Sequence, residues 1–276
     1  MRIAISNIAW DVNEDPSIAE LLKNHEVDAI DLAPGKYFPD PIRATDFEIG
    51  EVKRFWTEHG IEITGMQALM FGTTGLNIFG KSNVQEATLT HLAAICKIGA
   101  GLGATKLVFG SPKNRDSSGL DSMQVLDQAV SFFRRLGDIA QAHGVTFCLE
   151  PNPPCYGANF MTNCDETAII VRAVDHSAIK MQFDTGALLI CGESAEKVLE
   201  NSANLIGHIH ASEPGLAPLG DLGSDHRAIH DALVKFLPDL VVSIEMIATK
   251  TEPHLQSVAR ALFCALQYYR PTAGTI

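Results

Sequence analysis

The chain has 276 residues, of which 46% are hydrophobic and 20% charged, and this composition is typical of a folded domain with a sizeable core rather than a disordered chain. Lys and Arg number 21 while Asp and Glu number 33, so the formal charge is −12, which argues against a nucleic-acid-binding or anionic-membrane-binding surface. No segment approaches the roughly 18 consecutive apolar residues of a membrane span, so neither nucleic acid nor membrane is expected as a partner.

The start of the chain and the cysteines predict a cytoplasmic protein. Residues 1–6, MRIAIS, are strand-like and lack the basic, apolar and small-residue regions of a signal peptide. The six cysteines are scattered along the chain without a Cys-x-x-Cys pair. In a chain of this length, such cysteines indicate free thiols in a reducing compartment.

Short apolar runs alternate with longer amphipathic runs along the whole chain. The predicted strands are Ile3–Ala9, Ala29–Ala33, Ile61–Leu69, Lys106–Phe109, Val145–Leu149, Ile179–Phe183, Leu205–His210 and Leu240–Glu245. The predicted helices are Ser17–His25, Asp46–His59 (capped by Asp46), Gln85–Leu102, Ser122–His143, Asp165–Val174, Ser194–Ala203, Asp225–Phe236 and Pro253–Tyr269. Strict alternation implies parallel strands with right-handed crossovers, and eight units in this length predict an α/β protein, a single-domain (β/α)₈ barrel over residues 1–276.

The less regular segments all follow strands, and none follows a helix. They are residues 36–45, 70–83, 113–120, 151–163 and 213–224. In a (β/α)₈ barrel, the loops that follow strands form the C-terminal face, which is where active sites are built. An open doubly wound sheet is less well supported, because no Gly-rich phosphate loop follows the first strand.

The last four predicted strands end at, or directly before, Glu150, Asp184, His210 and Glu245. Adjacent strands lie about 4.8 Å apart, so side chains at four successive strand ends are able to converge. A single acidic residue at a strand end is usually a solvated turn residue, but four in phase point to a shared site. Three converging carboxylates repel one another unless a cation joins them. Oxygen donors with one imidazole suit Mn²⁺, Mg²⁺, Co²⁺ or Zn²⁺, so the sequence predicts one divalent metal ion.

In four segments the chain resembles the xylose-isomerase-like TIM-barrel superfamily, the sugar phosphate isomerase/epimerase family. The segments are LEPNPPCYGANF (149–160), QFDTGAL (182–188), HIHASEP (208–214) and SIEM (243–246), and the resemblance covers essentially the whole chain. In epimerases of that family the matching Glu, Asp, His and Glu bind one divalent ion, usually Mn²⁺ or Co²⁺. The resemblance therefore implies that Glu150, Asp184, His210 and Glu245 are metal ligands, that Mn²⁺ is the expected ion, and that Glu150 and Glu245 also transfer the proton.

One position departs from the family pattern. Epimerases and AP endonucleases of the superfamily carry a histidine three residues after the Asp of the sixth strand, where this chain has Ala187. The departure weakens the case for a ketose 3-epimerase specifically. It also disfavours a trinuclear nuclease, in agreement with the negative charge of the chain.

Further residues near the strand ends are candidates for substrate binding. They are Gln67, Lys113, Arg115, Asn152, Tyr156, His208 and Glu213. Lys113 and Arg115 are expected either to bind a phosphate or carboxylate or to be surface charges. His208 is expected either to contact the substrate or to support the metal ligands from behind. Glu213 is expected either to contact substrate hydroxyls or to lie solvated in its loop. His226 and His230, spaced i and i+4, are expected to serve at the surface or in helix capping.

The leading interpretation is an isomerase or epimerase of a sugar or sugar-like hydroxy-ketone, acting through an enediolate. The same metal and bases also suit elimination, so a dehydratase or lyase of the inosose-dehydratase or C-glycoside-cleaving kind is the alternative. A non-catalytic sugar-binding barrel and an AP-endonuclease-like nuclease are less well supported. The expected partner is a small carbohydrate, and a homo-oligomer is left open because relatives of this kind are often oligomeric.

Overall fold

Eight parallel strands close into a barrel in the computed structural model, which describes residues 1–270. They are β1 (Ile3–Ser6), β2 (Ala29–Leu32), β3 (Glu62–Met66), β4 (Lys106–Phe109), β5 (Thr146–Leu149), β6 (Ile179–Asp184), β7 (Ile206–Ser212) and β8 (Val242–Glu245). Each strand pairs with the next along the chain, and β8 closes the ring against β1 with Ile244 opposite Ile5. The predicted (β/α)₈ barrel is confirmed; residues 271–276 of the predicted domain lie outside the described range.

Nine α-helices surround the barrel within residues 1–270. They are α1 (Asp15–Asn24), α2 (Asp46–Glu58), α3 (Ser82–Leu102), α4 (Ser122–Ala142), α5 (Cys164–Val174), α6 (Thr185–Ile190), α7 (Ala195–Ser202), α8 (His226–Phe236) and α9 (His254–Tyr269). Among these helices, none combines the length and apolar character needed to cross a bilayer.

Six of the eight predicted helix starts lie one to three residues from the observed ones. Two further differences concern a capping residue and an additional helix. The prediction that Asp46 caps α2 was wrong: Thr45 is the cap, and its hydroxyl accepts from the backbone N–H of Glu48 while the Glu48 carboxylate accepts from the N–H of Thr45. Helix α6, which begins directly after β6, was not predicted from the sequence. Its first turn is capped by Asp184, whose Oδ1 accepts from the N–H of Ala187 at 2.6 Å.

The core has two layers of different character. Between the barrel and the helices it is apolar, as where Phe109 of β4 meets Phe133 of α4 edge-on at 5.9 Å between ring centroids. Inside the barrel, several of the buried side chains are polar. Asp31, Gln182, His208, His210 and Ser243 are each 3% exposed or less. Buried polar groups are costly unless they are paired, so this filling indicates a functional interior.

Candidate metal centre

A cavity of about 410 Å³ opens at the C-terminal ends of the strands. This volume falls within the roughly 300–1,000 Å³ typical of small-molecule sites. Its walls come from the ends of β3 to β8 and the loops that follow them, with Ile8 added from the turn after β1. Of the five irregular segments predicted to form this face, residues 70–83, 151–163 and 213–224 contribute to the wall, and residues 36–45 and 113–120 do not. One side is apolar, with Ile8, Met70 and Val108 among its residues, and the floor is acidic.

The four predicted metal ligands meet on this floor. His210 directs Nδ1 toward the carboxylates, at 3.2 Å from Oε1 of Glu150, 3.3 Å from Oε2 of Glu245 and 4.0 Å from Oδ2 of Asp184. One donor atom from each of the four residues lies within 4.8 Å of the donors of the other three. All four side chains are buried. The structure therefore brings together a donor set of three carboxylates and one imidazole.

The crowded charges of this cluster shift the pKa values of its side chains. Burial, together with the charges of Glu245 and Glu150, raises the pKa of Asp184 to about 8. Burial alone would lower the pKa of His210, but the charges of Glu245 and Glu150 and their hydrogen bonds to the ring raise it well above 6.5. A protein that buries three carboxylates around one imidazole nitrogen has built a site for positive charge. The residues present fit a divalent cation with mixed oxygen and nitrogen ligands.

Glu150 is held from its backbone side. Arg115 is only 1% exposed and donates from Nη1 to the Glu150 carbonyl at 2.7 Å and from Nη2 to Oδ1 of Asn152 at 2.6 Å. Asn152 in turn donates from Nδ2 to Oε2 of Glu150 at 3.3 Å. Gly110 of the neighbouring strand end leaves room for this carboxylate, because a Cβ there would lie 1.8 Å from Oε2.

The other two carboxylates are oriented by polar neighbours. Gln67 donates to Oε1 of Glu245 at 2.7 Å. Ser212 donates to Oδ2 of Asp184 at 2.7 Å, while Oδ1 caps α6. Ligand carboxylates in metal sites are commonly held by such outer hydrogen bonds.

The predicted substrate-binding residues divide into two groups. Gln67, Asn152, Tyr156 and Glu213 line the cavity. Lys113 is exposed, and Arg115 and His208 are buried; none of these three is among the residues of the cavity wall. Tyr156 also joins two loops, because its hydroxyl oxygen accepts from the N–H of Gly215 at 2.7 Å.

Glu213 begins a buried chain of polar contacts that leads away from the cavity. It accepts from the N–H of Gly220 at 3.0 Å and contacts the Ser224 hydroxyl and, at 3.2 Å, Nε2 of His226. Nδ1 of His226 lies 2.8 Å from the Tyr269 hydroxyl. The expectation of a surface or capping role for His226 was wrong, since this side chain is 1% exposed and packs between a loop and the last helix.

Asp31 is a buried acidic residue close to the site that the sequence patterns did not single out. It lies within β2 rather than at the end of a late strand, and its Oδ2 is 3.0 Å from Nε2 of His208 and 3.9 Å from Nε2 of His210. The available signal was a carboxylate in an otherwise apolar strand, AIDL.

The charged side chains of the cavity wall are all acidic among the described residues. Of its residues within the described part of the chain, Glu150, Asp184, Glu213 and Glu245 are acidic, and none is Lys or Arg. Ala187 lines the cavity with a methyl group at the place where the sequence departs from the family pattern. A phosphorylated or carboxylate ligand would find no cationic side chain in this wall to pair with.

A family model described as xylose isomerase-like TIM barrel matches residues 19–263. D-psicose 3-epimerase of Ruminiclostridium cellulolyticum is 28% identical over 88 residues; the matched segment is 32% of this chain and 29% of that protein, less than a third of its length.

Solved structures are similar over nearly the whole chain. D-psicose 3-epimerase of Clostridium cellulolyticum, solved with D-tagatose, has a TM-score of 0.80 at 20% identity and covers 98% of both chains. A 3-keto-D-glucoside 4-epimerase of E. coli has a TM-score of 0.77 at 17% identity, covering 96% of this chain and 100% of its own. The IolI protein with bound zinc has a TM-score of 0.75 at 16% identity, with 99% and 100% coverage. At these identities the similarity shows a common fold.

Proposed function

The chain belongs to the xylose isomerase-like TIM-barrel family, and from this premise we propose that it is a divalent-metal-dependent isomerase or epimerase of an unphosphorylated keto-sugar. The observation that carries the proposal is the convergence of Glu150, Asp184, His210 and Glu245 at the floor of the cavity. Mn²⁺ is the expected ion. The descriptions of the two D-psicose 3-epimerases and of the 3-keto-D-glucoside 4-epimerase name sugars, which supports a carbohydrate substrate.

The four ligands would hold the cation, and the cation would supply Lewis acidity to a substrate carbonyl and stabilise negative charge on its oxygen. The two glutamates, Glu150 and Glu245, would transfer the proton. Each directs one carboxylate oxygen toward His210 and has the other held by an amide, Asn152 for Glu150 and Gln67 for Glu245. Both side chains are therefore fixed, ionisable and open to the cavity.

Proton transfer next to a carbonyl needs a base on one face of the substrate and an acid on the other when configuration is inverted. Glu150 and Glu245 come from β5 and β8, on separate sides of the cavity floor, so one removes the proton and the other returns it to the planar enediolate. A well-placed general base contributes on the order of 10²–10⁴ in rate.

The acidic wall supports a neutral substrate. Without Lys or Arg among its described residues, a sugar phosphate would bring negative charge beside Glu213 and the three ligand carboxylates with no compensating partner. Hydroxyl groups, in contrast, find acceptors and donors in Gln67, Asn152 and Tyr156.

A second candidate function is elimination by a dehydratase or lyase acting on a keto-sugar or keto-inositol. The observation that favours it is Ala187, which places a methyl group where ketose 3-epimerases of the family carry a histidine. The two functions share the first proton removal. They differ in whether the enediolate is reprotonated at carbon or expels a β-hydroxyl, which takes a proton and leaves as water, or another leaving group.

The proposal is tested on the purified protein by elemental analysis for bound metal, followed by NMR in D₂O over a panel of keto-sugars and keto-inositols. Deuterium entering next to the carbonyl without loss of substrate supports isomerisation, and an enone product supports the lyase. D-fructose and D-tagatose are compared with their phosphorylated counterparts, which we expect to react at least about tenfold more slowly in kcat/KM, or about 1.4 kcal/mol. Metal binding without exchange on any member would contradict both enzymatic proposals.

A further inference from the structure

Asp31 stands in an unusual environment. It is fully buried in β2 between apolar neighbours, and Thr64 donates to its Oδ1 at 3.2 Å. Its Oδ2, Nε2 of His208 and Nε2 of His210 are all buried, and among residues 1–270 none of the three has a hydrogen bond of good geometry. Buried polar atoms are nearly always satisfied, so three exceptions at one point call for a functional explanation.

The backbone around Asp31 makes room for its carboxylate. Gly65 lies opposite it on β3, and a Cβ there would be 2.5 Å from Oδ1 of Asp31. The register between β2 and β3 also shifts between Ile30 and Asp31, as at a β-bulge, a feature that re-aims side chains. A glycine and a register shift therefore both serve the same buried side chain.

The position of Asp31 bears on the tautomer of His210. A neutral imidazole carries one proton, and a ring that offers Nδ1 to a cation must carry that proton on Nε2. Nδ1 of His210 faces Glu150 and Glu245, and Nε2 faces Asp31. The 3.9 Å between Nε2 and Oδ2 is too long for a direct hydrogen bond, but a neutral ring with its proton on Nε2 directs the positive end of that N–H dipole toward the carboxylate.

His208 lies closer to the buried Asp31 carboxylate than His210 does. Its Nε2 lies 3.0 Å from Oδ2 of Asp31, and its Nδ1 is in contact with the side-chain amide of Gln182 at 3.1 Å. The Asp31 carboxylate therefore lies on the Nε2 side of His210, whereas Glu150 and Glu245 lie on its Nδ1 side.

We propose that Asp31 is a positioning residue of the metal centre, which keeps the proton of His210 on Nε2 and thereby leaves Nδ1 free to bind the cation. The inference rests on the proposed metal centre. In this role Asp31 does not contact the substrate. Carboxylates that orient metal-binding histidines in this way affect metal affinity by about 10- to 100-fold.

The test compares Asp31→Asn with Asp15→Asn. Asp15 is a matched control, since it is also a buried carboxylate but accepts from Trp10 Nε1 and the Tyr37 hydroxyl, away from both histidines. We expect Asp31→Asn to weaken Zn²⁺ binding, measured by chelator competition, by about 10- to 100-fold. Asp15→Asn should leave the affinity within about twofold, whatever it does to thermal stability.

A second readout follows the ring proton itself, in wild type and Asp31→Asn that are both metal-free and ¹⁵N-labelled at histidine, at a pH above the pKa of His210. NMR should show the single proton of His210 on Nε2 in the wild type and shifted toward Nδ1 in Asp31→Asn. A purely structural role for Asp31 would not move this signal. Protonation of wild-type His210 on Nδ1, or unchanged Zn²⁺ affinity in Asp31→Asn, would overturn the proposal.

Metal stoichiometry distinguishes the remaining interpretation. Oδ2 of Asp31 and the Nε2 atoms of His208 and His210 lie within 4.8 Å of one another, a spacing that a second ion would also produce. We expect one Zn²⁺ per chain. Two ions, of which Asp31→Asn removes one, would make Asp31 a ligand and overturn its positioning role. None of these measurements uses turnover, so a failed proton-exchange assay leaves this test intact.

Discussion

Gln67 donates a hydrogen bond of 2.7 Å to Oε1 of Glu245, although 178 residues separate the two in sequence. The bond joins the segment after β3 to the end of β8 across the mouth of the barrel. The other carboxylate oxygen of Glu245 faces His210. The burial of Glu245 would raise its pKa, but His210 and Gln67 together outweigh this effect and lower it. Gln67 thus favours the ionised form and fixes its direction.

Replacing Gln67 with Leu should therefore slow the reaction without removing a group that transfers a proton. A hydrogen bond to a charged group contributes about 1.5–3 kcal/mol. We expect kcat/KM to fall by about 10- to 100-fold, with metal content unchanged. Steady-state kinetics and elemental analysis measure the two quantities. Gln85→Leu, on α3 outside the cavity wall, is the control, and equal rates for both variants would show that Gln67 does not orient Glu245.

Gly110→Ala should impair activity without altering any functional side chain. The new Cβ would lie 1.8 Å from Oε2 and 2.9 Å from Cδ of Glu150, so the carboxylate must move. A misplacement of about 1 Å in a reacting group is able to cost about 100-fold in rate. We expect such a loss in kcat while circular dichroism shows an intact fold.

The control for Gly110 is Gly50, an exposed helical residue of α2 where a Cβ would meet nothing within 4 Å. Gly50→Ala should stabilise the protein by about 0.5–1 kcal/mol and leave kcat unchanged. If Gly110→Ala has wild-type kcat, Glu150 is not confined as the structure indicates.

Arg115→Met should destabilise the protein more than a surface arginine does. Its burial, only partly offset by the charge of Glu150, lowers its pKa to about 10, and the two acceptors it serves are the Glu150 carbonyl and Oδ1 of Asn152. Leaving a buried acceptor unsatisfied costs about 1–3 kcal/mol. Urea unfolding should show a loss of this size or more, while Arg43→Met, on an 87% exposed side chain, changes little.

The same variant bears on the prediction that Arg115 binds an anionic substrate. A stable Arg115→Met protein with a large rise in KM for a phosphorylated sugar would favour direct binding. A loss of stability with similar effects on neutral and phosphorylated sugars would favour the positioning of Glu150 and Asn152.

Glu150→Gln and Glu245→Gln should each abolish proton exchange while the barrel stays folded. Each change keeps the size of the side chain and removes the carboxylate that accepts or returns the proton. We expect deuterium incorporation to fall by about 10²- to 10⁴-fold in either variant, measured by NMR with saturating metal. Glu20→Gln, on the exposed face of α1, is the control. Exchange persisting in both active-site variants would refute the acid/base assignment.

The barrel and its ligand set were predictable because they follow from local patterns. Apolar runs that end on Glu150, Asp184, His210 or Glu245 place the polar residue at one rim as soon as the strands are parallel. Strand ends were less predictable. The predicted first strand continued to Ala9, but the chain turns after Ser6, and Ala9 is apolar because the turn itself is buried.

Asp31 and Arg115 show what local patterns do not contain. The contacts of Asp31 with the histidines cross the barrel, and Arg115 reaches Glu150 from the loop after the neighbouring strand. A charged residue inside an apolar strand or in a polar loop carries no sign of its distant partner. Helix α6 was missed for a related reason, since its six residues depend on the Asp184 cap rather than on an amphipathic repeat.

The hydrogen bond between the Tyr156 hydroxyl and the N–H of Gly215 ties the loops after β5 and β7 into one bridge. Both Tyr156 and Gly215 line the cavity, so the bridge couples two stretches of its wall. A substitution that displaces one of these loops should therefore also shift the wall that the other loop provides, and with it the fit of a substrate.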